Sequence, residues 1–207
     1  MNNLIVLQII FLYILPVILI FILPKKWKMP ILITVFSILI FLIFYENWTW
    51  TQLGIRLDNL YQGIAPYLIY TLLCSIMIIF ISHKLHIRAI NNWQRQPHFM
   101  FLFVFVSFFQ ELAYRGFLIP KLMTLFNSVF WVIISNTLIF MFIHIIYKNK
   151  LVNLSLTFIM GIIFAWSYIY FPNLILITIS HSILNFLAVL YGWVSDSRIE
   201  SKIKFKT

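Results

Sequence analysis

In a chain of 207 residues that is 63% hydrophobic and 10% charged, a few polar side chains interrupt long apolar runs, and three groups of them have spacings that chemistry could use. Glu111 and Arg115 stand at i and i+4, neighbours on one helix face, where carboxylate and guanidinium neutralise each other. Gln110 lies about 100° around the same helix and points elsewhere in the bundle. His144 closes the run Phe140-Met-Phe-Ile-His, and His181 and Asn185 stack an imidazole and a carboxamide one turn apart. Singly, each has a plain structural reading: a tolerated ion pair, a core or interfacial histidine, a hydrogen-bonded contact between helices. Together they are different. An ionisable group at membrane depth costs from about 3 kcal/mol upward and usually faces the bundle interior, so convergence on one polar cavity is the economical expectation. Such a cavity could hold a water for hydrolysis, with a Glu or His as base and His plus Asn as donors to an oxyanion. It could equally bind a divalent metal through Glu111, His144 and His181; no other cofactor is suggested.

The elements that must position these residues are membrane helices. Mean hydropathy is +1.00, and no polar stretch is long enough for a soluble module, so the expected fold is all-α: a polytopic transmembrane bundle of about seven spans. The runs lie near residues 3–23, 29–46, 65–83, 99–119, 127–147, 151–171 and 173–192, separated by breakers that include Pro24, Pro30, Pro66, Pro97, Pro120 and Pro172. The first run lacks a basic leader and a small-residue cleavage site and is expected to be retained.

A formal charge of +10 could suggest nucleic acid, but the cations fall in short clusters between spans, which excludes a nucleic-acid-binding face. Lys25, Lys26 and Lys28, then Lys84, Arg88 and Arg95, then Lys148 and Lys150, then Arg198, Lys202, Lys204 and Lys206 mark every second connection as basic. That alternation predicts an N-outside, C-inside chain. The single cysteine, Cys74, rules out an internal disulfide or a cysteine metal site. The absence of an internal repeat argues against a transporter built from inverted halves.

The three motifs, in order, resemble the pattern of the CPBP or Abi family of intramembrane endopeptidases, which includes type II CAAX prenyl proteases and bacteriocin self-immunity proteins. The family's EExxxR looks like Gln110-Glu111-Leu112-Ala113-Tyr114-Arg115, its FxxxH like Phe140 to His144, and its HxxxN like His181 to Asn185; Leu53-Gly54-Ile55 also looks like a family feature. The resemblance covers residues 99–192, which suggests three spans in residues 1–98, a CPBP-like core, and a basic tail at 193–207. It implies a hydrolase in which a buried glutamate activates water while His and Asn polarise a scissile carbonyl near the membrane surface. Gln110, Glu111, His144, His181 and Asn185 are then the candidate catalytic residues, with Arg115 holding Glu111 ionised and oriented. In some accounts of the family the same residues bind a metal.

One departure bears on activity: the first Glu of the motif is Gln110, and a carboxamide cannot accept the proton. Either Glu111 substitutes as base, or Gln110 orients water while a histidine takes the proton, or the protein has kept the scaffold without proteolysis and acts as a membrane-binding or immunity protein. The expected partners are the bilayer and a membrane-associated peptide or protein. The abundance of Ile, Asn, Lys and Phe suggests an AT-rich bacterial genome and hence a bacterial cytoplasmic membrane, where a bacteriocin, a signalling peptide or a regulator is a more plausible substrate than a prenylated protein.

Overall fold

A computed structural model describes residues 2–90, 97–146 and 150–193, and among these every regular element is helical. Seven helical rods follow in chain order: α1 at Asn2–Ile22, α2 at Lys28–Tyr45, α3 at Leu60–Lys84, α4 at Pro97–Glu111 continuing through Leu112–Leu118 and Ile119–Leu125, α5 at Val129–Ile143, α6 at Lys150–Tyr170 and α7 at Leu174–Leu190. Asn2–Ile22, Lys25–Tyr45, Leu60–Lys84 and Asn153–Tyr170 are long and apolar enough to cross a bilayer, while Val129–Ile143 and Leu174–Leu190 are apolar but shorter. The chain is a multi-pass membrane helix bundle. Arg95, Lys148 and the tail cations from Arg198 onward lie outside the described residues.

Burial runs opposite to that of a water-soluble protein. Large apolar side chains such as Ile22, Phe41 and Phe105 face outward, whereas Ser107, Glu111, Arg115, Asn136 and Asn173 are wholly enclosed. Hydrocarbon cannot satisfy a polar group, so these side chains turn inward and pair.

Two prolines expected to separate spans instead lie within helices. Pro66 sits inside α3, and Pro120 lies in the rod that runs on to Leu125. The cause is local in α4: a proline ring collides with the carbonyl four residues back and offers no N–H, and a wider turn before it relieves both. Leu112–Leu118 is π-helical just ahead of Pro120, and Ile10–Ile14 of α1 is π-helical just ahead of Pro16. A widened turn frees carbonyls, and side chains take them up: Tyr13 Oη donates to Ala113 O at 2.6 Å and Asn136 Nδ2 to Tyr114 O at 2.6 Å.

The connection between α2 and α3 clamps this segment. Gly54 has φ +76°, and a Cβ there would meet Tyr168 Oη at 2.2 Å, so glycine is required both conformationally and sterically. Tyr168 Oη donates to Leu53 O at 2.9 Å, and the Leu174 amide donates to Gly54 O at 2.7 Å. Leu53 O in turn lies 3.0 Å from where a Cβ on Gly116 would stand, so the small residue in the π segment admits the close approach. Asn173 caps α7 by accepting from Leu176 N at 3.0 Å, and its amide donates to Arg56 O and Asn59 Oδ1. The start of α7 and the widened stretch of α4 are thereby held on one frame.

Candidate active site

The polar centre is assembled on that frame from α4, α5 and α7. Glu111 is the last residue before the widened turn and Arg115 lies within it; their i, i+4 contact forms, with Arg115 Nε 3.2 Å from Glu111 Oε2 and both side chains fully enclosed. The other Glu111 oxygen, Oε1, is hydrogen-bonded to His181 Nδ1. A carboxylate only accepts, so Nδ1 carries the proton and His181 Nε2 is an acceptor in the neutral ring and a donor in the cationic one.

Aromatic faces hold Arg115 alongside Glu111. Its terminal guanidinium nitrogens have no hydrogen-bond partner among the described residues, but its carbon lies 4.2 Å from the centre of the Phe140 ring and 5.4 Å from that of Phe164. A desolvated cation over such a face gains about 2 kcal/mol. The same two rings flank the His181 imidazole at 5.9 and 5.1 Å, and Phe140 also meets the His144 ring at 4.9 Å. Phe140 thus ties Arg115 to both histidines. His144 follows the end of α5, where its Nδ1 lies 2.9 Å from Phe140 O; a carbonyl only accepts, so Nδ1 is protonated and Nε2 bears the lone pair.

A cavity of about 180 Å³ lies against these groups, lined by Gln110, His144, Asn153, Thr157, His181 and Asn185 among apolar walls. Gln110 and Glu111 divide as their angular separation predicts: Gln110 faces the cavity and its buried Oε1 has no hydrogen-bond partner among the described residues, whereas Glu111 stands behind His181. Asn185 Nδ2 donates to Ser107 Oγ at 3.3 Å. The remaining lining comes from the second half of α3, the first half of α4, Phe140 of α5, the α6 face from Leu156 to Phe164 and the second half of α7, so the cavity extends from the polar centre toward the bundle end where α3 finishes at Lys84 and α6 begins at Lys150.

Asn153 and Thr157 were absent from the sequence candidates. Their signal was faint: two polar residues at i and i+4 in a mainly apolar span that also carries Ser155 and Ser167, a pattern shared with helices that merely pack. The metal reading fares poorly, for among the described residues no three of His, Cys, Asp and Glu converge as a donor set. Glu111 is already engaged by His181 and by a cation, Arg115, that would repel a metal. The set Glu111, His144 and His181 therefore does not fit a metal ion.

Comparison with curated proteins returned no match, and comparison with solved structures returned none. The family model described as type II CAAX prenyl endopeptidase Rce1-like matches residues 92–187, a segment that contains Gln110, Glu111, Arg115, Phe140, His144, His181 and Asn185. Over residues 92–187, a little under half of the chain, the sequence is thus similar to the CAAX-protease-like intramembrane endopeptidases, in agreement with the resemblance carried by its three motifs.

Proposed function

We propose that the protein hydrolyses a peptide bond of a membrane-associated peptide or protein within this cavity. The observation that carries the reading is the pair of imidazoles lining one cavity, each with Nδ1 committed to an acceptor, His144 to a carbonyl and His181 to a carboxylate. Gln110 Oε1 accepts a hydrogen bond from the attacking water, and His144 Nε2 takes its proton as the water oxygen bonds to the scissile carbon. His181, whose second proton is balanced by Glu111, donates through Nε2 to the developing oxyanion, with the Asn185 amide beside it. The proton on His144 then passes to the leaving amine. Glu111 acts through His181, and Arg115 holds Glu111.

The test is cleavage of a membrane-tethered peptide library by purified protein in nanodiscs, comparing native protein, His144→Ala and Gln110→Glu. Native cleavage that disappears in His144→Ala supports the peptidase. Cleavage only by Gln110→Glu means a dormant scaffold, and silence from both overturns the reading in favour of a binding or immunity protein. Gln110 is the observation that favours this second reading, because it replaces the family's carboxylate with a group that cannot accept a proton.

The positive-inside pattern, extended to this bundle, supports a cytoplasmic location for the cavity end marked by Lys84 and Lys150. With the composition noted above, a bacterial cytoplasmic membrane and a role in bacteriocin processing or self-immunity follow as part of the same proposal.

A further inference from the structure

We propose that Asn153 is a substrate-positioning residue that binds the backbone of an extended peptide along the α6 wall of the cavity; this rests on the peptidase reading. Asn153 is only 2% exposed, lines the cavity, and its Oδ1 has no hydrogen-bond partner among the described residues. A buried carboxamide oxygen left unpaired is costly unless something else supplies the donor. Lipid cannot, having no N–H to offer along its chains; a peptide backbone can.

The placement fits that donor. Asn153, Thr157, Met160 and Phe164 all line the cavity and recur at helical spacing along α6, forming one continuous face. Phe164 lies against the His181 ring, while Asn153 lies three turns away toward the start of α6 at Lys150. Eleven residues of helix span roughly 16 Å, which an extended peptide covers in about five residues. Gln110 Oε1, the other acceptor lining the cavity without a partner among the described residues, belongs to α4. A peptide lying along this face from the end where α6 begins thus meets an acceptor on α6, near the level of His144, before it reaches His181. Recognition through the backbone selects for an unfolded, extended segment and leaves side-chain preference to the apolar walls.

The test is a backbone-ester scan. A cleaved membrane-tethered peptide is made in versions that each replace one amide N–H by an ester oxygen, and each is presented to native protein and to Asn153→Leu in nanodiscs. For native protein, one ester position several residues from the scissile bond is expected to lower kcat/KM about tenfold or more, through KM. In Asn153→Leu the all-amide peptide shows that same loss, and the ester adds nothing further. Equal ester penalties in both proteins overturn the proposal. Should Asn153→Leu fail to insert, Asn153→Ala takes its place. Should native protein cleave no peptide, the peptidase reading fails by itself, and dissociation constants from the same scan decide on Asn153: one position whose penalty vanishes in the variant supports it, and equal penalties reject it.

Discussion

Each polar side chain in the centre answers to one or two contacts, so single substitutions should separate their roles. His144→Ala removes the proposed base and is expected to lower turnover about 10²- to 10⁴-fold while thermal unfolding in detergent changes little. Gln110→Glu supplies a carboxylate to the cavity wall and should raise turnover by a similar order if proton acceptance limits the native protein; an unchanged rate would show that it does not. Arg115→Leu should behave differently from both. It leaves the Glu111 carboxylate buried against His181 without its cation, a loss of about 3–5 kcal/mol that appears as a lowered unfolding temperature and poor recovery, not as a selective loss of kcat.

Between residues and bundle stand the widened turns. The π-helical stretch of α4 has Glu111 immediately before it and Arg115 inside it, and two of its carbonyls accept bonds from Tyr13 and Asn136. Asn136→Leu orphans the Tyr114 carbonyl, with an expected cost of about 1–3 kcal/mol in chemical or thermal unfolding. Glu46, one residue past the end of α2, makes a second test of element docking. Burial pushes its carboxyl up, but hydrogen bonds from Lys121, Trp48 and Gln8 outweigh that and hold it below its ordinary 4.5. A carboxylate with a depressed folded value stabilises fully above its ordinary value and loses that contribution as pH falls. Native protein should therefore lose stability as pH falls from about 4.5, and Lys121→Met should flatten that part of the unfolding curve.

For the whole molecule, the question is which end of the bundle faces the cytoplasm. In a Cys74→Ser background, Asp58→Cys should react with an impermeant maleimide in intact cells, and Lys84→Cys only after permeabilisation. The reverse pattern would place the Lys84 and Lys150 end of the bundle outside and overturn the proposed orientation. The same experiment bears on substrate class, because it decides which compartment supplies the peptide.

The sequence by itself determined that lipid is the solvent, that the chain is a helical bundle, and that Glu111 pairs with Arg115. The first two follow from composition summed over long runs, and the third from helical periodicity, which is local. The membership of Gln110, His144, His181 and Asn185 in one cavity was legible only as an economy argument, because charge at membrane depth must find company. Tertiary structure decided which groups face that cavity and which stand behind it. Gln110 lines the wall and Glu111 supports His181, a division set by where α7 crosses α4 and by the widened turn ahead of Pro120. It also drew Phe140 and Phe164 onto Arg115 and brought Asn153 to the wall. Those contacts join residues far apart in the chain, and nothing in the spacing of one helix specifies which face of another it will meet.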